Sequence, residues 1–317
     1  MSIPRSAPAR LALAVSLLAA APAAAQQAPQ ADSALAAPPT PGCTSCPEWN
    51  VPQRPFRIHG NSWYVGTRGL SAVLVTSPQG HVLLDGGLPE SAALIAANVR
   101  ALGFRMEDVR LILNSHAHFD HAGGIAALQR VSKATVAAHP WSAAMMRRGS
   151  SLPEDPQHEL DIPYPAVPTV RVLADGETVR VGPLALTAHF TGGHTPGGTS
   201  WSWRACEGDR CLDLVYADSQ TPVSADGYLF TRSTRYPSVL DDFARGFATL
   251  ESLRCDVLLT PHPSASTLFE RLAAREQGRA DAFRDPSACR RYAAGARQRL
   301  AQRVATERGA AAPGARP

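Results

Sequence analysis

The sequence predicts an α/β chain in which two sheets pack face to face with helices outside. Three observations carry that expectation. Strand-like runs followed by helical runs occur twice over. From Cys43 to residue 306 there is no long linker, and roughly 260 residues suit a single layered domain. Histidines gather in loops where strands end.

The elements can be taken in order. Residues 1–25 begin with Arg5 and Arg10, continue through an apolar stretch and end on Ala23, Ala24 and Ala25, the pattern of a secretory signal peptide cleaved before Gln26. The apolar stretch is too short for a membrane span, and no cysteine follows the cleavage site, so neither a bilayer helix nor a lipid anchor is expected. Residues 26–42, rich in Ala, Pro and Gln, are expected to be a flexible leader, and 43–317 the domain itself.

Strands are expected over 56–65, 71–76 and 81–85, separated by Gly and Pro turn signals. Residues 91–102 place Leu94, Ile95, Val99 and Leu102 on one helical face. The apolar run 109–113 reads as a buried strand, with a helix over 125–131, a strand over 135–138 and a short helix near 140–147 after it. Residues 149–167 are irregular and Pro-rich, long enough for a binding loop. The second half repeats the theme: strands near 169–173, 184–190, 199–203 and 212–216, an amphipathic helix over 238–253, a strand over 256–260 and two final helices.

Between the strand 109–113 and the helix at 125 stands His116-Ala117-His118-Phe119-Asp120-His121. Residues two apart in an extended loop share a face, so His116 and His118 can reach one ion. The turn before Ala122-Gly123-Gly124 aims Asp120 and His121 towards a neighbouring one. His194, set among Gly192, Gly193, Gly197 and Gly198, and His262, between Pro261 and Pro263, also follow strands. The inventory divides into a three-histidine site, His116, His118 and His194, and a second site, Asp120, His121 and His262. Zinc suits these donors best, although manganese or iron could use them. Water held between two zinc ions would lose its proton near neutral pH. His59, His81, His139, His158 and His189 lack such settings and are read as packing or surface residues.

Charge narrows the classes further. The net charge of +4 falls to +2 when the signal peptide, with its two arginines and no acids, is removed. A nearly neutral protein gives no electrostatic case for nucleic acid. The arginines after residue 290 read as a solvated helix face. Six cysteines in an exported chain favour disulfides, and fifteen pairings are possible. Cys206 and Cys211 flank a turn and suit a local bridge, while Cys255 to Cys289 would staple the last helix. Cys43 and Cys46 are left to pair with each other or to take a redox or zinc role.

Asp85-Gly86-Gly87 after a strand, H-x-H-x-D-H, Gly193-His194 and a late histidine after a strand together resemble the metallo-β-lactamase superfamily, from about Phe56 onward. The resemblance implies an αβ/βα four-layer sandwich, but leaves the substrate open. Residues 216–221 (YADSQT) are similar to the stretch that, in the third subclass of true class B β-lactamases, puts a serine where other subclasses carry a cysteine ligand. Asn114-Ser115-His116, residues 255–263 and Cys289 resemble the same subclass.

What this implies is a periplasmic, monomeric enzyme with two Zn²⁺ per chain, hydrolysing penicillins, cephalosporins and carbapenems and conferring antibiotic resistance. Its partner would be a small β-lactam, with no nucleic acid and no membrane anchor. Asp120 would orient the nucleophile, Ser219 and Thr221 would hydrogen-bond the substrate carboxylate, Tyr228 would polarise its carbonyl, and Asp85 would fix a histidine ligand. Two other readings remain open. Asp218, shifted by one residue, could be the bridging aspartate of other superfamily hydrolases, pointing to a lactonase or ester hydrolase. The donors could also belong to a zinc-binding protein without turnover.

Overall fold

The computed structural model describes residues 1–2, 35–160 and 162–310. Beyond Met1 and Ser2, the expected signal peptide and the first part of the leader, through residue 34, lie outside the described residues. From Leu35 the chain is packed. Leu35 is buried, and the Thr40 N–H and hydroxyl donate to Glu90 at 2.9 and 2.7 Å. Residues 35–42, expected to be flexible, are thus tied down by one apolar anchor and one carboxylate.

After a helical turn, α1 (Cys46–Trp49), come β1 (Phe56–His59), β2 (Ser62–Tyr64), β3 (Val73–Val75) and β4 (His81–Leu84). The expected single strand over 56–65 is a hairpin, because Gly60 adopts a φ of +53° and turns the chain. There follow α2 (Ser91–Ala101), β5 (Val109–Leu113), α3 (Phe119–Ala122), α4 (Ile125–Ser132), β6 (Thr135–Ala138), α5 (Pro140–Arg148) and β7 (Arg171–Val172). The second half holds β8 (Thr178–Val181), β9 (Leu184–Phe190), β10 (Thr199–Glu207), β11 (Arg210–Tyr216), α6 (Val239–Ser252), β12 (Val257–Leu259), α7 (Leu268–Glu276) and α8 (Ala288–Ala310). The sequence reading did not include β8, an edge strand in which Val179 is buried and Thr178 and Arg180 are exposed.

The strands form a seven-stranded sheet in the order β1 to β7 and a five-stranded sheet in the order β12-β11-β10-β9-β8. Both are mixed: β1 to β4 are antiparallel and β4 to β7 parallel, and β12 runs parallel to β11 beside antiparallel β8 to β11.

Alternating side chains set the layers. Val73, Val75, Val82, Leu84, Leu111 and Leu113 face Leu186, Trp201, Leu214, Tyr216 and Leu259 between the sheets. The intervening Leu74, Leu83 and Ile112 face the other way, packing with Ile95 and Val99 of α2, Leu128 of α4 and Met146 of α5. On the far side, Val215 and Leu258 pack with Phe243 and Phe247 of α6 and Ala293 and Leu300 of α8. Helix, sheet, sheet, helix is the four-layer sandwich. Among the described residues no helix is long and apolar enough to cross a membrane.

All six cysteines lie in bonded pairs, Cys43–Cys46, Cys206–Cys211 and Cys255–Cys289. The second closes the β10–β11 hairpin and the third joins the start of α8 to the residues before β12.

Candidate metal centre

The strand ends deliver the donors to one cleft. β5 ends at Leu113, and His118 is still extended (ψ 155°) before the chain turns into α3, which carries Asp120 and His121. That turn is possible because Gly86 and Gly124 let two loops touch: a Cβ on Gly124 would sit 2.3 Å from the Gly86 carbonyl oxygen. The Gly86 N–H donates to the His121 carbonyl at 2.8 Å, tying the turn after β4 to the motif. His194 follows Gly193, which has a φ of +129° and lies against Phe243 too closely for any side chain. His262 follows β12.

Donor atoms of His116, His118 and His194 lie within 4.8 Å of one another, as do those of His116, Asp120 and His121. His116 is common to both, so these five donors form one continuous cluster. His262 joins it through Asp120, whose Oδ2 lies 3.1 Å from Nε2 of His121 and 3.2 Å from Nε2 of His262.

The rings are oriented from behind. His116 Nδ1 donates to Asp218 Oδ1 at 2.7 Å, His118 Nε2 to Asp155 Oδ2 at 2.9 Å, and His194 Nδ1 to the Thr221 carbonyl at 2.8 Å. Each bond fixes a tautomer and leaves the opposite nitrogen as the donor atom. Burial, reinforced by the neighbouring His121, His118 and His194, pushes His116 well below the usual imidazole range, and burial with His118 takes His194 down to about 3. Burial pushes the Asp120 carboxyl up, but His121 and His262 outweigh it and hold the group well below the carboxylate range. Neutral imidazoles and an ionised carboxylate are the forms that bind a metal.

The donor set fits a divalent ion. His116 Nε2, opposite the nitrogen held by Asp218, is a buried ring nitrogen without a hydrogen-bond partner, which is costly unless something else engages it. Imidazoles with one carboxylate match zinc.

The cleft above the cluster has a volume of about 920 Å³. Ser219 and Thr221 line it beside His194, and Gln157, Leu160 and Ile162 come from the irregular segment 149–167. That segment, expected as a binding loop, also supplies Asp155 to His118.

Two expectations change here. Asp85 makes no hydrogen bond to a donor ring, although it interacts electrostatically with His121: its carboxylate accepts from the Ser115 N–H (2.7 Å) and hydroxyl (2.6 Å), Asn114 Nδ2 (3.1 Å) and the Tyr216 hydroxyl (2.8 Å). It fixes the backbone that leads into the motif, and the ring-fixing role falls to Asp218. Tyr228 lines a separate cavity of about 350 Å³ with Arg232 and Ser233, its ring edge-on to Phe230. It is not among the residues that line the metal cleft, and the Arg303 guanidinium of α8 donates to its carbonyl at 2.8 Å.

Residues 65–264 match the profile described as Metallo-beta-lactamase superfamily. The chain belongs to that superfamily. It is similar to the Rm3 metallo-beta-lactamase at 56% identity, TM-score 0.83, over 84% of this chain and 100% of that one. It is also similar to MEM-A1, a subclass B3 metallo-beta-lactamase isolated from a soil metagenome library, at 49% identity, TM-score 0.81, over 82% of this chain and 99% of that one. A hydroxyacylglutathione hydrolase of Anaeromyxobacter dehalogenans (strain 2CP-C) is 36% identical over 129 residues, 40% of each chain. As superfamily members go, this one is a subclass B3 relative along nearly its whole described length, with divalent-metal donors of histidine and aspartate.

Asp155 and Gln157 were not singled out as site residues by sequence, and Asp218 was weighed only as a bridging aspartate. Asp155 and Gln157 sit in a segment without periodicity. Asp218 carried a signal, its place at the end of β11, but not its direction.

Proposed function

We propose that this protein is an exported, monomeric β-lactamase that hydrolyses the amide of penicillins, cephalosporins and carbapenems and thereby confers resistance. Two zinc ions would be held, one by His116, His118 and His194, the other by Asp120, His121 and His262. When bound, they supply Lewis acidity towards the carbonyl and lower the proton affinity of water. Asp120, the one carboxylate among the six donors, orients the attacking water. Ser219 and Thr221 present hydroxyls to the substrate carboxylate, and the apolar Leu160, Ile162 and Val223 shield the reacting amide from bulk water. An oxidising periplasm suits three bonded cysteine pairs.

The observation that carries this reading is the direction of Asp218. Its Oδ1 accepts from His116 Nδ1, behind the ring, so it is not offered to the cleft as a bridging carboxylate, and Ser219 takes the cleft position. The alternative is a thioester or lactone hydrolase, favoured by the partial likeness to the hydroxyacylglutathione hydrolase. The test is hydrolysis of a carbapenem, a chromogenic cephalosporin, an acyl-homoserine lactone and a glutathione thioester, each with chelator and with zinc restored. Zinc-dependent turnover of both β-lactams is expected. Turnover of the lactone or thioester alone would establish the alternative, and zinc uptake with no turnover a binding protein.

A further inference from the structure

The amino-terminal strap lies along one wall of the cleft and takes no part in the function proposed above. It begins at the buried Leu35, is pinned by Thr40 to Glu90, and tightens at the Cys43–Cys46 bond. Cys46 is buried among Leu70 and Leu88, and α1 then ends at Trp49.

Trp49 leads to His262 by two routes. Its ring stands edge-on to the imidazole, centroids 5.2 Å apart. Its carbonyl accepts from the Gly69 N–H at 3.0 Å and the Thr67 hydroxyl at 2.7 Å, while the Gly69 carbonyl accepts from His262 Nδ1 at 3.2 Å. Gly69 is pressed so tightly onto the strap that a Cβ there would lie 2.5 Å from Trp49 Cα. Ring and peptide together set the plane of His262 and its tautomer, leaving Nε2 directed at Asp120 Oδ2.

We infer that residues 43–49, clamped by the Cys43–Cys46 bond, are a positioning element for His262, so that an amino-terminal turn tunes the affinity of the second metal position. The inference rests on His262 being a metal ligand. Trp49 and the two cysteines touch no metal themselves. They act by holding the Gly69 carbonyl and the face of the imidazole, both of which are free to shift if the strap loosens.

Zinc titration against a chromophoric chelator tests it, with the parent, Trp49→Ala, Trp49→Phe and the double variant Cys43→Ser, Cys46→Ser. The parent should take two equivalents. Trp49→Ala should weaken the second about tenfold or more, by the usual effect of removing a ligand's outer support, and leave the first within about twofold. Trp49→Phe should recover most of that loss, and the cysteine variant should fall between. If Trp49→Ala does not fold, the cysteine variant, which removes only the clamp, makes the same comparison. Equal weakening of both equivalents, or a second equivalent unchanged, would overturn the inference while the ligand reading stands. A parent that takes up fewer than two would overturn both.

Discussion

The two donor sets share a loop but are held differently. Each histidine of the first set is backed by an acceptor at 2.9 Å or less: Asp218 behind His116, Asp155 behind His118, the Thr221 carbonyl behind His194. In the second set His262 has the Gly69 carbonyl at 3.2 Å, and His121 Nδ1 has no partner. Two buried carboxyl groups, Asp218 and Asp155, frame the first set at short range; burial and the nearby Asp85 push the Asp218 carboxyl up, while His118 outweighs burial and holds Asp155 below the usual carboxylate range. The second set gathers around Asp120 and depends on its surroundings for shape.

The largest effect should come from the one carboxylate among the six donors. Asp120→Asn should lower kcat/KM for a carbapenem by ~10³-fold, the scale of several kcal/mol that a metal centre contributes to the transition state. A variant within tenfold of the parent would show that Asp120 does not orient the attacking water. Next comes Asp218→Asn, which should weaken the first zinc equivalent by about 10–100-fold and the second little. The reverse order in a chelator competition would invert the comparison.

His139 offers a control outside both sets. Its Nδ1 accepts from the Trp141 N–H at 3.0 Å at the start of α5, and burial takes its pKa from 6.5 to about 4. The folded pKa is depressed, so the unfolded chain binds the proton first. The contribution is complete above pH 6.5 and is lost as pH falls towards 4. Unfolding by denaturant should show a loss on the order of 1 kcal/mol over that window, blunted in His139→Gln, with zinc stoichiometry unaltered. Smallest of all, Tyr228→Phe should change kcat and KM by less than about twofold, because its ring faces the neighbouring cavity. A tenfold loss would return it to the reaction.

Which parts were legible in the sequence follows from how local each signal is. The six donors stand beside turn residues at strand ends, and their spacing alone brings His116, His118, Asp120 and His121 together. The layers were legible because Val73, Leu74 and Val75, or Leu111, Ile112 and Leu113, alternate between two cores. The exchange of roles between Asp85 and Asp218 was not. Both follow strands, and only the packing of one sheet on the other decides that the residue 102 positions from His116 is the one behind its ring. The surroundings of Tyr228 were not legible for the same reason: its carbonyl accepts from Arg303, 75 positions along the chain.

The hydrogen bond between Gly69 and His262 spans 193 residues. A contact of that span closes late, since the entropy of joining distant segments must be met before the bond forms. A chain synthesised amino terminus first therefore presents the strap long before its histidine partner exists to receive it. The centre is complete only when the last quarter of the chain has folded back on the first, so full metal uptake should trail the burial of Trp201 in a refolding time course. Order of assembly, as much as geometry, separates the two halves of the site.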